Sequence, residues 1–65
     1  MLARRWQEVV TAHGTVRIKI GTWRGEDVTF APEMADCVRL AGERGLPVRA
    51  VYEEAVRRAR SSPAS

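Results

Sequence analysis

The run Val16-Arg17-Ile18-Lys19-Ile20 alternates branched apolar side chains with cations, a period of two that a helix cannot use. In a strand, Val16, Ile18 and Ile20 share one face that must be buried, and Arg17 and Lys19 share the other, which stays wet. Such a strand needs a neighbour to pair with and an apolar layer to cover it. The neighbour is expected to follow directly. Gly21 to Gly25 reads as a hairpin loop around Trp23, and Asp27-Val28-Thr29-Phe30 as the returning strand. Val28 and Phe30 are then expected to join Val16, Ile18 and Ile20 on the apolar face.

The covering layer is expected from the second half of the chain. Pro32 suits the first position of a helix, where its missing N–H costs nothing, and Glu33 in the first turn complements the dipole. Met34, Cys37, Val38 and Ala41 follow the i, i+3, i+4, i+7 rule and mark the buried stripe. Gly45 stops this helix and Pro47 starts the next after a short corner at Leu46. Val48, Val51, Tyr52, Ala55 and Ala59 form a second stripe. Arg49, Glu53 and Arg57 step by four along the outer face, as do Glu54 and Arg58, which is ion-pair spacing on a solvated helix. Residues 61–65 read as a disordered polar tail.

The segment from Leu2 to Gly14 is ambiguous. Leu2, Trp6, Val9, Val10 and His13 fit one helical stripe, and the same residues fit a strand from Trp6 to Val10 that turns through Thr11-Ala12-His13-Gly14. The expected architecture is α+β: a small antiparallel sheet of two to three strands, built on a hairpin, followed by a helical hairpin. All of it belongs to one module, residues 1–60.

A chain of 65 residues buries only about 60% of the surface its unfolded form exposes, so a monomer is marginal. One cysteine, Cys37, cannot close an intrachain disulfide, and with a single histidine, His13, it is too little for a zinc site. Self-association is therefore expected, with Trp6, Trp23 and Leu40 in a subunit interface. No apolar run is long enough for a membrane span and no signal-peptide pattern is present, from which a cytoplasmic chain is expected.

The net charge of +3 comes from ten Arg and one Lys against eight acids, which permits an anionic partner without specifying one. Catalytic signatures are missing: there is no Ser/His/Asp set, no Gly-rich phosphate loop and no paired Cys/His spacing. Cys37 reads as a small buried hydrophobe and His13 as an exposed turn residue. Glu33 and Asp36 lie three apart on one helix face and are the candidate metal contacts, for part of a Mg²⁺ or Mn²⁺ shell. Arg17 and Lys19, on the wet face of their strand, are the candidate phosphate contacts. The two helices also invite a winged-helix nucleic-acid reading with Arg49, Arg57, Arg58 and Arg60 toward DNA. Glu53 and Glu54 interrupt those arginines, so duplex binding is expected to be weak and salt-sensitive.

From Trp6 to Arg60 the chain resembles the C-terminal part of the LarC family of nickel insertion proteins. The resemblance rests on Thr11-Ala12-His13-Gly14-Thr15-Val16-Arg17-Ile18-Lys19, then Ala31-Pro32-Glu33 with Asp36-Cys37, then Leu46-Pro47-Val48-Arg49-Ala50-Val51-Tyr52-Glu53-Glu54-Ala55. The matching motif residues are Pro32, Glu33, Asp36, Cys37, Pro47 and Tyr52, whereas Met34 and Ala35 stand where the family has Tyr and Glu. The resemblance implies a strand, not a helix, for Trp6 to Val10. It further implies a part in assembling the nickel-pincer cofactor, where the family inserts nickel into a pyridinium bisthiocarboxylate mononucleotide using CTP and a divalent metal. A module of this size is expected to be non-catalytic alone and to bind no cofactor tightly, with Mg²⁺ or Mn²⁺ arriving with CTP. It is expected to serve a structural, oligomerising or nucleotide-assisting role as a homo-oligomer beside the remaining LarC-type segments.

Overall fold

The structure is a computed structural model that describes residues 3–61; Leu2 and residues 62–65 of the tail expected at 61–65 lie outside the described residues, and Ser61, expected in that tail, is helical instead. Strands β1 (Ala3–Thr11), β2 (Gly14–Trp23) and β3 (Glu26–Pro32) form an antiparallel sheet in the order β1-β2-β3, and helices α1 (Met34–Arg44) and α2 (Val48–Ser61) pack on one face of it. The fold is the expected α+β arrangement of a small sheet followed by a helical hairpin.

The ambiguous first segment is a strand. β1 pairs with β2 along its full length, from Ala3 opposite Thr22 to Thr11 opposite Gly14. The helical periodicity loses because β2 is central and buried on one face, and needs a partner on each side. The β1–β2 turn is tied by the Thr11 hydroxyl, which donates to the Gly14 carbonyl at 2.7 Å and accepts from the His13 N–H at 3.0 Å. Gly14 has a φ of 135°. A side chain there would also meet Leu40, whose Cδ2 lies 2.7 Å from where a Cβ would stand.

The second hairpin is tighter than the sequence suggests. Gly21, Thr22 and Trp23 belong to β2, and only Arg24 and Gly25 form the turn, both with positive φ (54° and 82°). That is the two-residue primed turn whose twist matches the strands it joins. Between Gly21 opposite Thr29 and Thr22 opposite Asp27, the ladder carries a bulge with Val28 as the extra residue. Val28 is consequently 46% exposed and does not join the core, contrary to the alternation; Phe30, opposite Ile20, does pack against it.

Pro32 does not open α1. It is the last residue of β3, opposite Ile18, and Glu33 extends the ladder by donating its N–H to the Arg17 carbonyl at 2.8 Å. Arg17 faces β3 through its amide, so by alternation the Pro32 nitrogen faces outward, where an edge strand needs no donor. Glu33 is the N-cap, extended at φ −68° and ψ 118°, with its carboxylate 3.5 Å from the Ala35 N–H. The buried stripe of α1 shifts accordingly. Asp36, Cys37, Leu40 and Ala41 face inward, and Met34 and Val38 are each 52% exposed. Leu40, expected at a subunit interface, is part of this chain's own core.

Gly45 ends α1 in the left-handed region, and the Leu46 N–H returns to the Ala41 carbonyl at 2.9 Å. Pro47 stands immediately before α2. That helix buries Val51, Ala55 and Ala59, with Val48 and Tyr52 alongside, as its spacing indicates, and continues through Ser61. Val16, Ile18, Ile20, Cys37, Val51 and Ala55 are the fully enclosed centre.

Candidate functional site

Because α1 and α2 cover one face of the sheet, the other face is left open by the described residues. Pairs in register share a face, so the open face carries Arg4, Trp6, Glu8 and Val10 from β1, Arg17 and Lys19 from β2, and Thr29 and Ala31 from β3. Both candidate phosphate contacts therefore lie there, two residues apart on the central strand, as the alternation requires.

Each is held by a neighbour. The Lys19 ammonium sits over the Trp6 ring, 5.1 Å from its centroid, because Trp6 is directly opposite Lys19 in the ladder. Arg17 is gripped by Asp36 at the start of α1. The Arg17 Nε donates to Asp36 Oδ2 at 3.1 Å, Nη2 donates to Oδ1 at 3.2 Å, and the Arg17 backbone N–H donates to Oδ2 at 3.0 Å. The carboxylate thus continues the β2 ladder where β3 has ended, and clamps sheet to helix. Arg17 holds the Asp36 carboxyl below its ordinary pKa through the side-chain bonds first and the backbone bond second, and Asp36 raises Arg17 in turn. Nη1 is the guanidinium nitrogen this grip leaves over, and the Arg17 side chain is 55% exposed.

One candidate phosphate contact is thereby joined to one candidate metal contact. Asp36 is 8% exposed with both oxygens accepting from Arg17, and Glu33 caps α1. Among the described residues no three His, Cys, Asp or Glu side chains gather closely enough to hold a metal ion. Glu33 and Asp36 are two neighbouring carboxylates, one capping α1 and the other paired with Arg17. Cys37, next to Asp36, is fully buried, and burial pushes its thiol pKa up, followed by the charges of Asp36 and Glu33. It is a core side chain, not a ligand. His13, in the β1–β2 turn, is half-buried, and Tyr52 and Pro47 pack or position α2.

Glu54 departs from the solvated helix face assigned to it. It does pair with Arg58, at 3.2 Å, and with Arg57, but it is buried and accepts from the Ala12 N–H at 3.1 Å. That backbone bond is the main cause of its lowered pKa, with Arg57 and Arg58 adding to it. Glu54 fastens the β1–β2 turn to α2. Its spacing to Arg58 was visible in the sequence, but the turn amide lies 42 residues away and no local signal announces it.

Comparison with known proteins places this geometry. The family model described as nickel insertion protein matches residues 1–52. A relative in Roseiflexus castenholzii, named for nickel insertion, is 48% identical over 46 residues, covering 71% of this chain and 12% of that protein. The pyridinium-3,5-bisthiocarboxylic acid mononucleotide nickel insertion protein of Desulfitobacterium hafniense is 37% identical over 54 residues, or 83% of this chain and 13% of that protein. Among solved structures, the apo form of LarC2, the C-terminal domain of a cyclometallase involved in synthesis of the NPN cofactor of lactate racemase, superposes with a TM-score of 0.80. It is 31% identical and covers 94% of this chain and 42% of that one. The chain thus spans about an eighth of the length of the curated relatives it matches. No helix among the described residues is long and apolar enough to cross a membrane.

Proposed function

The chain belongs to the nickel insertion protein family, and from that premise we propose that it is a nucleotide-assisting module of nickel-pincer cofactor assembly. In this reading the open sheet face presents Arg17 and Lys19 to the phosphates of a nucleotide such as CTP. The observation that carries it is the pre-orientation of both cations on a rigid central strand. Asp36 fixes the Arg17 fork with Nη1 left over, and Trp6 supports Lys19 from below. A cation held in place loses less rotamer freedom on binding than a free one, which favours affinity.

The divalent metal travels with the nucleotide, coordinated by its phosphates and waters, since Glu33 and Asp36 are engaged elsewhere. The protein's part is charge and position. It performs no bond-making step by itself, and the nickel ion and the pyridinium mononucleotide are substrates handled with the rest of a longer LarC-type protein.

Calorimetry with Mg²⁺–CTP tests the reading. The chain is expected to bind weakly, in the millimolar range, because a module spanning an eighth of its relatives supplies only part of a pocket. Each charge-assisted phosphate contact contributes about 1.5–3 kcal/mol, so Lys19→Ala and Arg17→Ala should each weaken binding roughly ten- to a hundred-fold. Binding that neither substitution weakens, or no binding at millimolar nucleotide, would overturn the proposal in favour of a purely structural module.

A further inference from the structure

The open face of the sheet is not flat. Residues paired in register cross it in rows, and the row Arg4, Gly21, Thr29 lies beside the row Trp6, Lys19, Ala31. Gly21 stands in the middle of its row and has no side chain to fill it. A depression of about 270 Å³ results, lined by Arg4, Lys19, Gly21, Thr29 and Ala31. Pockets that enclose a whole ligand run to about 300–1,000 Å³, so this one suits a single group of a larger molecule.

The lining sets its chemistry. Arg4 and Lys19 bring two cations to the walls, and no carboxylate lines them. Neither cation forms an ion pair among the described residues, whereas Arg5, the next residue on β1, is taken up by Asp27. Thr29 adds a hydroxyl. At the bulge the Gly21 N–H donates to the Thr29 Oγ1 at 3.1 Å, and a hydroxyl that accepts there keeps its own proton to donate. No aromatic ring lines the depression, so a base has nothing to stack on. Two cations and a hydroxyl donor are the surroundings of an oxyanion.

We propose that this depression holds the terminal phosphate of a nucleoside triphosphate whose inner phosphates lie along Lys19 and Arg17, so that Arg4 makes the face select triphosphates over di- and monophosphates. The inference rests on the nucleotide reading above and deepens it. Successive open-face positions on β2 are about 6.6 Å apart, which puts Arg17, Lys19 and the depression at Gly21 on a line about 13 Å long. A diphosphate seated on Arg17 and Lys19 stops short of Arg4, and one further phosphate reaches it. Selection then comes from a contact that only the longer chain makes.

Amide-resonance titrations with the Mg²⁺ complexes of CTP, CDP and CMP test it, because they read millimolar affinities. The wild-type chain should bind CTP about tenfold more tightly than CDP. Arg4→Gln should abolish that difference by weakening CTP alone, and CDP binding at the wild-type level shows that the variant is folded. Arg49→Gln removes the same charge from the exposed side of α2 and should leave the ratio at tenfold. Arg17→Ala should weaken CTP and CDP alike, as the nucleotide reading requires. A wild-type ratio near one, a ratio that Arg4→Gln leaves intact, or a ratio that Arg49→Gln removes as well would overturn the proposal and leave the reading of Arg17 and Lys19 standing. No nucleotide binding to the wild type would overturn both.

Discussion

Replacing Asp36 by alanine removes three acceptor contacts at once. The Arg17 backbone N–H loses its only partner, because β3 has already ended, and a part-buried donor left unpaired costs about 1–3 kcal/mol. The guanidinium is half-exposed, so the lost ion pair itself adds little. The substitution should lower stability by about 1–3 kcal/mol, a large share of what a chain of this size possesses. At 4–8 °C per kcal/mol for a small domain, the melting temperature should fall by roughly 4–24 °C. Asp36→Asn keeps one acceptor for the backbone N–H and should cost about half as much. The pH profile separates charge from shape. The folded-state pKa of Asp36 is depressed, so its contribution is present above the unfolded carboxyl value and is lost as pH falls through the folded one. Urea unfolding of the wild type should thus weaken below about pH 4, where unperturbed aspartates protonate, and the variant should show a shallower acid limb. An alanine variant within about 0.5 kcal/mol of wild type, the range of neutral surface substitutions, would refute the clamp.

Two further outcomes follow from backbone geometry and burial. Gly14→Ala places a Cβ at a φ of 135° and against Leu40, and should destabilise by about 1–3 kcal/mol, measured by chemical denaturation. Cys37, buried and with a raised pKa, should react with a thiol reagent only as fast as the chain opens. The rate in the folded state should lie far below that in denaturant, and equal rates would contradict its place in the core.

The sequence was most legible where one local rule acted alone. The alternation from Val16 to Ile20, the glycine stop at Gly45 and the stripe of α2 all appear as their spacing indicates. The misreadings have long-range causes. Pro32 has the credentials of a helix opener, but the ladder to Arg17 holds it and Glu33 in extended conformation, which rotates the buried face of α1 onto Leu40. Val28 continues a plausible alternation, and a bulge turns it out. Arg24-Gly25 makes a primed turn without the Asn-Gly or Asp-Gly that usually signals one. The site was half legible. Alternation put Arg17 and Lys19 on one wet face, but the carboxylate that grips Arg17 and the tryptophan under Lys19 come from other elements. Asp36, singled out as a metal contact by its spacing from Glu33, proved to be the partner of a phosphate candidate.

The central claim, that the open face of the sheet receives a nucleotide's phosphates, is tested most directly by following backbone amide resonances while Mg²⁺–CTP is titrated into the chain. The largest shifts should fall at Arg17 and Lys19 and at Trp6 and Ala31, opposite Lys19 in the ladder, with α2 undisturbed, and exchanging Mg²⁺ for paramagnetic Mn²⁺ should broaden the same signals first. Shifts confined to α2, or none at millimolar nucleotide, would contradict it.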